Sequence, residues 1–222
     1  MQAFAKAHPN IALIKYWGKR DTAKNLPAVD SLSLTLGDLW TNMNVHFSSS
    51  YSRDRLEINN IADDQNISRV SRCLDSIVGK SRPFANIISE CNFPIAAGLA
   101  SSSSSFSALV VAANNAMGNK YDTQLLASQA GSASGSAARS MLGGIVELNN
   151  TQNDIEIKQL SSVERWPLKV IIAITNKEKK SISSSQAMKL SASSSPFYSS
   201  WINKQEADMC EGRLAIKNKD FE

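Results

Sequence analysis

The stretch Pro94-Ile95-Ala96-Ala97-Gly98-Leu99-Ala100-Ser101-Ser102-Ser103-Ser104 runs straight into Ser105-Phe106-Ser107-Ala108-Leu109-Val110-Val111-Ala112-Ala113, and the change of pattern within it organises the chain. After Gly98 the apolar residues Phe106, Leu109, Val110 and Ala113 recur at helical spacing, which predicts a helix over residues 101–117. Small residues leading into a helix N-terminus form an anion cradle, because unpaired backbone N–H groups and the positive end of the helix dipole face one point. Gly98, Leu99, Ala100, Ser101 and Ser102 are therefore candidates for gripping phosphate, with the serine hydroxyls as further donors or as a reach toward a metal ion. Neither GxxxxGK[ST] nor GxGxxG is present, so this is not a Walker or dinucleotide loop. A serine run taken alone reads equally well as a flexible linker, but this one lies between a Pro/Gly turn and an apolar helix.

Toward the N-terminus the period shortens to two. Leu32, Leu34 and Leu36 alternate with Ser31, Ser33 and Thr35, and Met43, Val45 and Phe47 alternate with Asn42, Asn44 and His46. This predicts two neighbouring antiparallel strands joined near Gly37-Asp38, each with one face buried and one open. Residues 68–78 read as a short amphipathic helix and 84–90 as a strand; Asp122 or Thr123 can N-cap a helix reaching Gly131. Further strands are expected at 145–148 and 169–174, separated by turns. The serine runs 183–185 and 193–195 read as polar loop or linker. Ser195-Pro196 reads as a helix start with an apolar side from Phe197, Trp201 and Ile202, and Asp220-Phe221-Glu222 as an N-cap and first turn of another helix.

Three more constellations carry chemistry. Asn10-Ile11-Ala12-Leu13-Ile14-Lys15-Tyr16-Trp17-Gly18-Lys19-Arg20-Asp21 gathers Lys15, Tyr16, Lys19 and Arg20, donors suited to a phosphorylated or carboxylated ligand, although such a cluster taken by itself is more often a solvated surface patch. Ser134-Gly135-Ser136-Ala137-Ala138-Arg139-Ser140 offers hydroxyls and a guanidinium to a carboxylate or diphosphate, or else a turn whose arginine caps a carbonyl. Lys179-Lys180 with Ser183, Ser184 and Ser185 is indistinct by itself.

The 222 residues are 42% hydrophobic and 20% charged, an ordinary folding composition, and the formal net charge of +4 suits an anionic ligand without the basic stripe of a nucleic-acid binder. Cys73, Cys91 and Cys210 have neither CxxC nor His spacing for zinc and are expected as reduced thiols. The longest strongly apolar run, residues 170–174, cannot span a bilayer, and residues 1–10 do not form a signal peptide, so the expectation is a cytoplasmic protein with no membrane or nucleic-acid partner.

In this order, NIALIKYWGKRD at 10–21, NFPIAAGLASS at 92–102, SGSAARS at 134–140, KEKK at 177–180 and SSPFY at 194–198 resemble the diphosphomevalonate decarboxylases of the GHMP-kinase superfamily across essentially the whole chain. The resemblance implies an α+β GHMP-kinase fold: a domain like ribosomal protein S5 domain 2 at 1–165 and an incomplete ferredoxin-like domain at 166–222. It implies ATP and Mg2+ as cofactors, (R)-5-diphosphomevalonate as small-molecule substrate, isopentenyl diphosphate, ADP, phosphate and CO2 as products, and a homodimer. Carried over, Lys15 and Arg139 are catalytic; Asn10, Tyr16, Trp17, Lys19, Ser134, Ser136, Arg139 and Ser184 bind substrate; Gly98, Leu99, Ala100, Ser101 and Ser102 bind the nucleotide; no metal ligand is assigned.

Departures are Ala138 for the usual cysteine, Ala133 for a glycine, Gly131 where a basic residue is common and Ser185 where some members carry an arginine. The family's general base lies in a TxDAGPN-like segment that these 222 residues do not contain, so the chain reads as C-terminally truncated and inactive by itself. The alternatives are a mevalonate or phosphomevalonate kinase, a phosphomevalonate decarboxylase, or a binding fragment without turnover.

Overall fold

The computed structural model describes residues 1–94, 99–173 and 182–221. Eleven strands, five α-helices and one 3-10 turn follow in the order β1 (Gln2–Ala7), β2 (Asn10–Ile14), β3 (Lys19–Asp21), β4 (Leu26–Pro27), β5 (Ser31–Thr35), β6 (Thr41–Phe47), β7 (Arg55–Ile58), β8 (Ile61–Ala62), α1 (Ile67–Val78), β9 (Ala85–Cys91), α2 (Ser101–Ala116), α3 (Thr123–Ala133), the 3-10 turn (Ala138–Met141), β10 (Ile145–Asn150), β11 (Ile155–Ser161), α4 (Ser184–Ser194) and α5 (Tyr198–Asn218) among the described residues. The class is α+β, as expected.

Two sheets hold the molecule. One has the order β1-β6-β9-β7-β8, antiparallel except where β7 runs parallel to β9; the other has the antiparallel order β11-β10-β5-β2; β3 and β4 form a separate hairpin. The predicted alternation of β6 is borne out: Met43, Val45 and Phe47 are buried and meet Leu74, Ile87, Leu109 and Val110 in the main core. Helix α2 is the hub of that core, with Ala108, Val110, Ala112 and Ala113 wholly buried. Each such aliphatic side chain removed from water contributes on the order of 1–3 kcal/mol.

Strands β5 and β6 are not neighbours, contrary to expectation. The turn near Gly37 carries the chain from one sheet to the other, so β5 pairs with β2 and β10 while β6 pairs with β1 and β9. Nor is one face of β5 open. Leu32 and Leu34 pack with Ile145, Met209 and Ile216 under α5, while Ser31 on the other face accepts a hydrogen bond from buried Arg139. A second helix and a buried cation cover what a period-two pattern leaves to solvent.

The C-terminal expectations shift further. Residues 184–194 form α4 instead of a loop, because Ser183 and Gln186 make a reciprocal capping box. Ser195 closes α4, and α5 starts after Phe197, which is 77% exposed and not part of an apolar face. Residues 169–173 join no ladder among the described residues, so the strand expected at 169–174 is not formed there; Ile171 is 95% exposed and position 174 lies outside the described residues. Asp220 donates its N–H to Ala215 O just beyond Lys219, which takes a left-handed conformation to close α5, so it completes a helix end; Glu222 lies outside the described residues.

Candidate functional site

Four segments distant in sequence open onto one cavity of about 850 Å³, lined among others by Asn10, Lys15, Tyr16, Trp17, Lys19, Ala100, Ser102, Ser134, Ser136, Arg139 and Ser184. These are the expected residues from all four constellations. Leu99 and Ser101 are outside the lining, and Gly98, like the KEKK segment at 177–180, falls outside the described residues.

Local folding explains the convergence. Asn10 begins β2 and gives both amide protons to the neighbouring loop, to Ser136 O at 3.0 Å and Ser140 Oγ at 2.7 Å, which fixes that loop against the sheet. With its donors committed, Asn10 acts here on the loop. The loop follows the end of α3, and Ser134 Oγ donates to Ser102 Oγ at 3.2 Å, so the third constellation touches the first turn of α2. Helix α2 is preceded by Ala100, held left-handed at φ +50° with no side-chain cap; Ser103 N–H bonds Ala100 O at 2.7 Å, and the amides ahead of it have no partner among the described residues. Ser103, Ser104 and Ser105 turn their hydroxyls back onto helix carbonyls at 100 and 101, and only Ser102 of the run lines the cavity. At the other wall, Lys19 Nζ donates to Ser185 Oγ at 3.0 Å, drawing the N-terminus of α4 to the β3–β4 hairpin.

Arg20 departs from the set. Its guanidinium is used on the carbonyls of Thr151, Gln152 and Asp154, outside the cavity, where it pins the hairpin to the β10–β11 turn. Conversely, Arg69 and Arg72 line the cavity and were not singled out from sequence. Residues 69, 72, 73 and 76 all line it, and their i, i+3, i+4, i+7 spacing on α1 was the available signal. Arg69 also gives Nε and Nη2 to Ala133 O, at 3.0 and 2.6 Å, and stacks over Phe106 at 4.4 Å.

The charge is one-sided. Lys15, Lys19, Arg69, Arg72 and Arg139 line the cavity and no Asp or Glu does, among the described residues. Arg139 is only 2% exposed; it donates Nη1 to Ser31 Oγ at 2.6 Å, while its Nε is buried without a partner among the described residues. Burial pulls its pKa down to about 10, opposed by the nearby Tyr16 phenol, and burial pushes Tyr16 up to about 12, opposed by Arg139. Burial, and then the Arg69 charge, lowers the Lys19 pKa. Such cations, desolvated beside two helix N-termini, form a site for a multiply charged anion. The described residues hold no group of three or more His, Cys, Asp or Glu suited to a metal ion. The open amides at Ala100 and the Ser102 hydroxyl fit a nucleotide's phosphates; for magnesium the described lining offers hydroxyls but no carboxylate.

Comparison with known proteins agrees with this geometry. The family model for the diphosphomevalonate decarboxylase-like N-terminal domain matches residues 7–161, and that for the mevalonate 5-diphosphate decarboxylase C-terminal domain matches 170–222. Diphosphomevalonate decarboxylases of Candida albicans and Saccharomyces cerevisiae are 33% and 34% identical over 99% of the chain, which spans 66% and 61% of their lengths. Among solved structures, the mevalonate diphosphate decarboxylase from Enterococcus faecalis superposes with a TM-score of 0.86 at 34% identity, over 100% of this chain and 69% of that one. The Staphylococcus aureus enzyme also reaches 0.86, at 31% identity, with the same coverage of both chains. A structure described as MDDEF in complex with MVAPP, AMPPCP and magnesium reaches 0.87 at 34% identity.

Proposed function

The chain belongs to the diphosphomevalonate decarboxylase family, and from that premise we propose that it serves the ATP-dependent decarboxylation of (R)-5-diphosphomevalonate to isopentenyl diphosphate. The observation that carries this reading is the meeting of a carboxylate- and diphosphate-type loop with a nucleotide-type cradle at the Ser134–Ser102 contact. Two anionic ligands can then lie side by side, which phosphoryl transfer between them requires.

ATP supplies the phosphoryl group that makes the tertiary 3-hydroxyl a leaving group, and Ala100 with Ser102 holds its phosphates. Tyr16, Lys19 and Ser184 bind the substrate's diphosphate; Trp17 shapes that wall. Lys15 neutralises charge near the transferred group. Arg139, with Ser134 and Ser136, orients the carboxylate: its unpartnered Nε and low-dielectric surroundings favour a charge-assisted bond there over one in water. Aligned beside a carbon losing phosphate, that carboxylate leaves as carbon dioxide. No step is routed through magnesium. These 222 residues contribute the grips and the electrostatics.

The two assigned domains, 1–165 and 166–222, a homodimer and a cytoplasmic setting belong to the same proposal. All three cysteines are free, and no helix among the described residues is long and apolar enough to cross a membrane.

Calorimetric titration checks the reading. Diphosphomevalonate is expected to bind at least about tenfold more tightly than the monophosphate, since a further phosphate adds charge-assisted hydrogen bonds. Equal affinities would remove the diphosphate assignment, and ADP formation without carbon dioxide would replace the decarboxylase by a kinase.

A further inference from the structure

We propose that Asn25 is a positioning residue for diphosphate binding, acting through Tyr16. The proposal rests on the reading of Tyr16 as a diphosphate ligand. Asn25 lines the cavity and closes the turn between β3 and β4, where Asp21 Oδ1 accepts the N–H groups of Ala23 and Lys24 at 2.8 and 2.9 Å. At φ +57° it occupies the left-handed region that asparagine tolerates better than most residues.

Two bonds leave Asn25 in different directions. Its Nδ2 donates to Gly131 O at 2.6 Å, and its own carbonyl accepts the Tyr16 hydroxyl at 3.2 Å. Gly131 lies in the last turn of α3, where carbonyls have no further helical N–H to bond, so the side chain caps that helix from outside. This is the helix whose end leads into Ser134-Gly135-Ser136. The Tyr16 ring rests on that same loop: a Cβ on Gly135 would come within 2.5 Å of its Cζ. The ring is thus held between Gly135 and the Asn25 carbonyl, with the hairpin's distance from α3 set by the Asn25 amide.

The side-chain bond is short, and the phenol's bond is long. A phenol has one proton, so an arriving anion takes the donation that Asn25 O held, while the Asn25 amide keeps the hydroxyl at the depth where the exchange occurs. Without the amide the hairpin is free to move away from α3, and the binding energy of Tyr16 falls with the loss of its preset position.

The test is a double-mutant cycle on the full chain, reading the affinity for inorganic diphosphate and for diphosphomevalonate by calorimetry. Asn25→Gly keeps the left-handed backbone and the carbonyl and removes only the cap. It is expected to weaken binding by roughly five- to tenfold, comparable to Tyr16→Phe, a loss typical of one hydrogen bond to a charged group. In the Tyr16→Phe background the same change is expected to cost less than about twofold, the signature of two residues acting as one. Fully multiplicative losses, with the urea midpoint lowered equally in both backgrounds, would make Asn25 a structural cap only and overturn the proposal. Should the glycine variant not fold, Asn25→Ser runs the same cycle; failure of both to fold also overturns it. If the unaltered chain binds neither ligand, the diphosphate reading itself fails. If it binds both and Tyr16→Phe weakens them while Asn25→Gly does not, only the positioning role fails.

Discussion

Arg139 heads the fully buried large side chains, a cation with a hydroxyl on one nitrogen and nothing on Nε. A buried charge without a counter-charge costs several kcal/mol, and apolar replacement of such groups is often neutral or stabilising. Arg139→Met is therefore expected to leave the ligand-free chain as stable as before or more so, while abolishing the rise in melting temperature that diphosphomevalonate produces. The pH dependence follows in sign. Arg139 has a folded pKa lowered to about 10, so the cost of burying its charge is present below pH 10 and is relieved as pH rises toward the unfolded value. The advantage of the methionine variant should shrink as pH rises from about 10 toward 12 in urea unfolding. A variant clearly less stable at pH 8, with a pH-independent gap, would show that the guanidinium is satisfied in the empty site. At this scale much was legible: Lys15, Tyr16, Lys19, Ser134 and Arg139 were picked by donor type and spacing. Arg69 and Arg72 were not, because the core face of α1, Val70, Cys73, Leu74 and Ile77, is what an amphipathic pattern reports, and the arginines flank it.

Among the elements, α4 and α5 depend on contacts that no local pattern contains. Gly18 has φ +104°, and a Cβ there would collide with the Tyr198 hydroxyl. Gly18→Ala should lower stability by about 1–3 kcal/mol through backbone strain and displacement of Tyr198. Adding Tyr198→Ala should restore only part of this; full recovery in urea titrations would show that the left-handed backbone costs nothing. Met209 anchors α5 on Leu32, Leu34 and Ile145, so Met209→Ala should cost about 2–5 kcal/mol, and a loss under about 1 kcal/mol would mean that α5 is loosely docked. Polar ties supplement this packing: Arg213 Nε donates to Glu147 Oε1 at 2.5 Å and Nη2 lies 3.9 Å from Asp30 Oδ2. The signal for α4 was present as Ser183-x-x-Gln186, but a serine-rich composition hid a capping box inside an apparent loop. Strands β1 and β7 escaped notice because their register comes from partners far along the chain, as when Gln2 pairs with His46 and Arg55 with Asn86.

For the whole molecule, the chain's crossing from β5 to β6 is what builds the site. It puts Leu32 and Met43 in different sheets, and α2 packs on β1 and β6 with its first turn at the mouth of the cavity and its body in the core. Period-two patterns show strands but not which sheet each joins, and that is why two adjacent strands were expected where two sheets exist. The convergence of four motifs, by contrast, could be expected from their chemistry, since scattered phosphate grips are useful only together. Five cations around one cavity give the account its central claim, that diphosphate and nucleotide phosphates are held side by side there. A crystal structure of the chain with diphosphomevalonate and a non-hydrolysable ATP analogue tests it most directly. The account predicts the diphosphate against Tyr16, Lys19 and Ser184, the carboxylate on Arg139, and the nucleotide phosphates at Ala100 and Ser102. Ligand density elsewhere, or nucleotide phosphates away from the start of α2, would contradict it.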